Sequence, residues 1–161
     1  MRHIDYGALR DYMSVVCVGI SHHTAPVAVR ESVAWTDAGQ RDLYAGLDLQ
    51  EFSERSGLGE IAILSTCNRT EIYGATKSFD HDVTTPPAEL ISLLTTRDGV
   101  ESADAATSIY GRSGTEAVRH LCRVAAGLDS MVIGETEILG QVQEAHDRAV
   151  DGGVAGPILD E

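Results

Sequence analysis

The chain has 161 residues, enough for one domain with a real hydrophobic core. Its net charge is −13, from 25 acidic and 12 basic residues, with Lys77 the single lysine. That balance argues against a broad RNA-binding face, and no apolar run approaches the ~20 residues a membrane crossing needs.

Residues 1–13 are polar and read as a flexible extension, with the domain proper spanning 14–155. Val15 to Ile20 is β-branched and continuous, predicting a buried strand. Pro26 suits a first helical turn and opens a predicted helix over Val27 to Ala34. Thr36 or Asp37 caps another, ending near Leu47. Gly57-Leu58-Gly59 marks a turn before a strand over Ile61 to Ser65, and a second strand follows at Glu71 to Thr76. Asp80 to Pro87 reads as a polar loop, Ala88 to Thr95 as a helix, and Asp98-Gly99 as a turn. Ala106 to Tyr110 is expected to form a short fourth strand.

Ser113, with Glu116 three residues on, has capping-box spacing for the next helix. Ala117, Leu121, Val124 and Leu128 recur along it at helical intervals, widened by Val118 and Ala125, and His120 falls at the edge of that stripe. A last helix from Glu135 to about Val150 turns Ile138, Val142, Ala145 and Ala149 inward, and Asp151-Gly152-Gly153 stops it. Residues 156–161 read as the start of a following, truncated element. The order of elements predicts an α+β fold, an antiparallel sheet with helices packed on it. A dinucleotide-binding unit would need a glycine fingerprint between strand and helix, and no Gly-x-Gly-x-x-Gly occurs.

Cys17, Cys67 and Cys122 are odd in number and widely spaced, which suits reduced thiols in the cytoplasm rather than a disulfide framework or zinc site. The N-terminus lacks the build of a signal peptide. His22-His23 invites a metal reading, but no carboxylate or cysteine follows at ligand spacing, so the pair reads as loop structure near a site. Cys17, in an apolar run, and Cys122, on a helix, read as structural. Cys67 differs because it sits in the polar stretch Ser65-Thr66-Cys67-Asn68-Arg69-Thr70-Glu71-Ile72-Tyr73. In an extended conformation Cys67 and Arg69 share a side. A neighbouring guanidinium favours the nucleophilic thiolate and can fork onto a carboxylate. By itself this pair also fits a small hydrophobe at a strand end beside an exposed arginine.

The same stretch resembles the active-site segment of glutamyl-tRNA reductases. Two further stretches agree in order and spacing: Val18-Gly19-Ile20-Ser21-His22-His23-Thr24-Ala25-Pro26-Val27 with Arg30-Glu31, and Ala117-Val118-Arg119-His120-Leu121 leading to Gly127-Leu128-Asp129-Ser130-Met131-Val132-Ile133-Gly134-Glu135 and Ile138-Leu139-Gly140-Gln141-Val142. The resemblance covers roughly residues 14–161 and only the N-terminal catalytic part of the family's longer chain, so the chain reads as a fragment.

What the resemblance implies is a ferredoxin-like catalytic domain of an oxidoreductase that opens tetrapyrrole synthesis. Its substrate is glutamyl-tRNA, its hydride donor is NADPH, held by a domain not in this chain, and its homodimer forms through a region also outside it. Cys67 is expected to form a thioester with the glutamyl group and His120 to handle protons. Arg69 is expected to hold the substrate carboxylate, with Thr66 and Asn68 beside it. Ser130, Glu135, Thr136, Glu137 and Gln141 are expected to contact the aminoacyl substrate, although Glu137 stands where many relatives have glutamine. No metal is expected. Two rival readings stay open: a binding or regulatory module that keeps the aminoacyl pocket, and a thiol esterase. The acidity leaves two more: RNA held by regions outside this chain, or a protein that works at high salt.

Overall fold

The computed structural model describes residues 15–76, 85–95, 102–131 and 137–160. The leader over 1–13, most of the loop after Asp80 and the turn at Asp98-Gly99 lie outside the described residues. Strand β1 (Val15–Ser21) is followed by three helices, α1 (Val27–Val33), α2 (Asp37–Gly46) and α3 (Leu49–Ser56). The hairpin strands β2 (Leu58–Ser65) and β3 (Arg69–Thr76) come next, then helices α4 (Ala88–Thr95) and α5 (Ser102–Ser108). Strand β4 (Tyr110–Ser113) leads into α6 (Thr115–Ala125) and α7 (Glu137–Asp151). The four strands form one antiparallel sheet in the order β2-β3-β1-β4. With helices between β1 and β2 and between β3 and β4, this is the ferredoxin-like α+β arrangement.

Three expectations need correction. The helix α3 was not anticipated, although Asp48 caps it by accepting from the N–H groups of Gln50 and Glu51, and Gly57 ends it in the left-handed region at φ 75°. Of the strand expected over Ala106 to Tyr110, residues 106–108 belong to helix α5, which spans Ser102–Ser108, and β4 starts at Tyr110. That stretch is rich in alanine, the best helix former, and holds few of the β-branched and aromatic residues that favour a strand. Finally, Ser113 ends β4 and Gly114 is the N-cap of α6, without a side-chain cap.

Alternation along the strands sorts the sheet into two faces. Val16, Val18, Ile61, Ile63 and Ile72 join Tyr44, Phe52, Leu90 and Leu94 in an apolar core under α2, α3 and α4. Each such side chain contributes about 1.5–3 kcal/mol when fully buried. The opposite face carries Val15, Cys17, Leu64 and Tyr73 against Ala117 and Val124 of α6 and Ile138 and Ala145 of α7. Residues 156–160 fold back on β2, where the backbone N–H groups of Ile158 and Leu159 donate to the Glu60 carboxylate.

Candidate active site

The β2–β3 hairpin closes through Thr66, Cys67 and Asn68. The Thr66 hydroxyl accepts from the N–H groups of Asn68 and Arg69, each at 3.2 Å, and the Thr66 N–H donates to the Arg69 carbonyl at 2.8 Å. This local bonding is a hydroxyl-stabilised turn, which threonine supplies readily. Cys67 therefore stands exposed at a loop tip. It is not in extended backbone, so strand alternation does not set its relation to Arg69. Thr66 builds the turn that presents it, and the Asn68 carbonyl accepts from His22 N–H at 2.9 Å, joining the tip to the loop after β1.

Arg69 begins β3 and is 1% exposed. Its Nη1 donates to Glu71 at 3.0 Å and to Asp129 Oδ2 at 3.2 Å, and its Nη2 donates to the Asp129 backbone carbonyl. Burial opposes its charge, but Glu71, Tyr110 and Asp129 more than offset this and raise its pKa. Arg69 is neither exposed nor paired with Glu71 alone.

Glu71 is the centre of a buried network. Its Oε1 accepts from Arg69, from His120 Nε2 at 2.7 Å and from the Tyr110 hydroxyl, and its Oε2 accepts from the Tyr73 hydroxyl at 2.6 Å. Burial pushes its pKa up, yet the His120 hydrogen bond, the Arg69 charge and the Tyr110 hydroxyl bring it down to about 2. An ionised carboxylate only accepts, so His120 Nε2 carries a proton towards it. The register puts Gly19 opposite Glu71. A Cβ on Gly19 would come within 2.7 Å of Glu71 Cγ and 3.0 Å of the Tyr110 oxygen, so glycine makes the room for this carboxylate.

His120 lies on the inward stripe of α6 with Ala117 and Val124, only 6% exposed, rather than at an edge facing a cleft. Leu128 and Val118, expected inward, are 52% and 46% exposed. The burial of one polar residue rotates the stripe, because Glu71 on the sheet offers it a partner. Cys122 is exposed on the same helix and is not a core residue.

Cys17 is fully buried on this face, and burial together with the Glu71 charge raises its thiol pKa well above the ordinary value. Cys17, Glu71 and His120 offer ligand atoms within 4.8 Å of one another. A cation there would share Glu71 Oε1 with the Arg69 guanidinium and would need a thiolate that burial disfavours, so the donor set does not suit one. An apolar cavity of about 560 Å³ opens farther along the same face beside Leu64, Tyr73, Leu121 and Val142, and neither Cys67 nor Arg69 lines it.

Of the other expected site residues, Ser130 is half-buried and follows the Asp129 that grips Arg69, so the loop after α6 meets the hairpin there. Glu137 is exposed in the first turn of α7 and Gln141 is half-buried one turn on. Glu135 and Thr136 lie outside the described residues. The His22 and His23 rings lie 3.8 Å apart, tilted by 41°, and His23 Nε2 is 3.8 Å from Asp129 Oδ1. Burial first, then the His23 and Arg69 charges, lower the His22 pKa. Glu71, Tyr73, Tyr110 and Asp129 were missed as site residues. The alternation Arg69-x-Glu71-x-Tyr73 was a usable signal for the first two, whereas Tyr110 and Asp129 carried none that links them to β3.

Fold and site together define a ferredoxin-like α+β domain that presents an exposed thiol at a hairpin tip, next to a buried guanidinium–carboxylate network. Comparison with known proteins makes the class specific. A family described as "Glutamyl-tRNAGlu reductase, N-terminal domain" matches residues 18–161. Glutamyl-tRNA reductase from Halorhodospira halophila is 43% identical over 148 residues, covering 92% of this chain and 30% of that protein. The enzyme from Colwellia psychrerythraea is 42% identical, over 92% of this chain and 33% of its own. The solved structure of glutamyl-tRNA reductase from Methanopyrus kandleri superposes with a TM-score of 0.62 at 35% identity, over 90% of this chain and 30% of that one. The chain belongs to the glutamyl-tRNA reductase N-terminal domain family. It spans about a third of the length of these relatives.

Proposed function

We propose that this domain receives the glutamyl end of glutamyl-tRNA and takes the glutamyl group onto Cys67 as a thioester, the first chemical step towards glutamate-1-semialdehyde. The observation that carries the reading is the contrast between Cys67, exposed in a turn built by Thr66, and Arg69 two residues on, buried and charged. The Cys67 thiolate attacks the ester carbonyl carbon. A C–S bond forms, the C–O bond to the terminal ribose breaks, and the proton given up by the Cys67 thiol ends on the ribose oxygen. A thioester is a better electrophile than the ester it replaces, which suits a later reduction. Arg69, two residues from Cys67, carries planar donors that match a glutamyl carboxylate. His120 reaches the site through Glu71, and its part is to hold that carboxylate and, through it, the guanidinium.

The reduction implied by the family needs NADPH as hydride donor. The described residues do not fit a dinucleotide, because their sheet is antiparallel and no glycine-rich strand–helix turn is present among them. The domain's own share therefore ends at the thioester, with water as the available acceptor.

Incubation with glutamyl-tRNA labelled in the glutamate should leave acid-stable, thiol-labile label on the protein, and Cys67→Ser should abolish it. Equal labelling of the mutant would place the nucleophile elsewhere.

A further inference from the structure

We propose that Asp129 is an exchangeable partner of Arg69: its carboxylate holds the guanidinium in the free domain and yields that place to the carboxylate of an incoming glutamyl group. The inference rests on the reading of Arg69 as the substrate's carboxylate holder. Two carboxylates, Glu71 and Asp129, already face one guanidinium, at 3.0 and 3.2 Å from Nη1. A third cannot be matched by the same cation without loss, since burial makes an unpaired charge costly.

The two residents are not equal. Glu71 is fully buried and takes donors from Arg69, His120, Tyr73 and Tyr110, so its displacement would strip a partner from four groups at once. Asp129 has an 18% exposed side chain and lies in the turn after α6. It has a second partner within reach, since His23 Nε2 is 3.8 Å from Oδ1 and the His23 side chain is 59% exposed. Rotation of the Asp129 carboxylate from Arg69 towards His23 frees one of the two N–H groups of Nη1, while the other stays on Glu71 and Nη2 stays on the Asp129 backbone carbonyl and keeps the loop docked. Arg69 is thus aligned before the ligand arrives, and the ordering cost falls on the free protein.

The test is a titration of the domain with a non-hydrolysable mimic, adenosine bearing glutamate through a 3′-amide. Asp129→Asn keeps a side-chain oxygen for Nη1 and leaves the backbone bond intact, but it is a weaker competitor. It should bind the mimic about fivefold more tightly than the wild type, and Asp129→Ser should tighten binding too. His23→Gln should weaken binding in the wild-type background and leave it unchanged in D129N. Unchanged or weaker binding by both Asp129 variants, or an equal loss from His23→Gln in both backgrounds, would overturn the exchange. Arg69→Lys separates the two readings: equal binding by R69K and wild type would remove Arg69 from the site altogether. Weaker binding by R69K with no gain in D129N would remove only the exchange.

Discussion

The two faces of the sheet are built from the same strands and obey different rules. On one face the side chains of Val16, Val18, Ile61, Ile63 and Ile72 meet the apolar sides of α2, α3 and α4, and their contacts with Phe52, Leu90 and Leu94 are non-directional. On the other, Arg69, Glu71, Tyr73, Tyr110 and His120 form a fixed set of donors and acceptors around one carboxylate. Burial favours the first set outright. It is tolerable for the second only while every member is paired, because a low-dielectric interior strengthens made bonds and penalises missing ones alike. The apolar face should therefore absorb small changes, and the polar face should fail when one partner is removed.

The largest expected effect is Glu71→Gln. Arg69 would lose its central partner while buried, and the cost should be about 3–5 kcal/mol in urea unfolding. A loss below about 1 kcal/mol would show that the network contributes little to the fold.

Acid should expose the same group. The Glu71 pKa is depressed to about 2 from an ordinary 4.5, so between these values the unfolded state binds more protons than the folded one. Its contribution is complete above about pH 4.5 and is lost as pH falls towards about 2, on the order of 3 kcal/mol in all. Stability of the wild type and of E71Q, measured from pH 6 to pH 2, should converge as pH falls. Parallel curves would contradict the low Glu71 pKa.

A Gly19→Ala substitution is milder. Its methyl group meets Glu71 Cγ and the Tyr110 hydroxyl, and the expected cost is about 1–3 kcal/mol. Thermal unfolding of the single mutants and of the Gly19→Ala, Tyr110→Phe pair should show coupling between these sites. Strict additivity would mean that the crowding is relieved elsewhere.

The smallest effect belongs to the apolar face. Ile63→Val removes one methylene from a fully buried site and should cost about 0.5–1.5 kcal/mol in the same unfolding assay. A larger loss there than for Glu71→Gln would invert the comparison between the faces.

Much of this protein could be read from local signals. The β-branched run after Ser14, the helix over Ala88–Thr95, the Thr36 cap and the glycines after Asp151 each act within a few residues, and each element stands where those signals place it. The family, and with it Cys67 as a candidate, was legible because the Ser65–Tyr73 stretch is contiguous and two further stretches agree with it in order and spacing. Helix α3 was legible in the same way, since Asp48 and Gly57 bracket it with ordinary caps.

The setting of the site residues was decided in three dimensions. Whether Cys67 lies in a strand or at a tip depends on which atoms the Thr66 hydroxyl bonds. Whether His120 faces water or the core depends on a carboxylate 49 residues away. Asp129 lies 60 residues from Arg69 and reaches it only because the turn after α6 folds over the β2–β3 hairpin. Periodicity reports which face of an element is apolar, but it does not say what waits opposite that face. A buried charge is settled by its partner, and the partner is chosen by the packing of the chain.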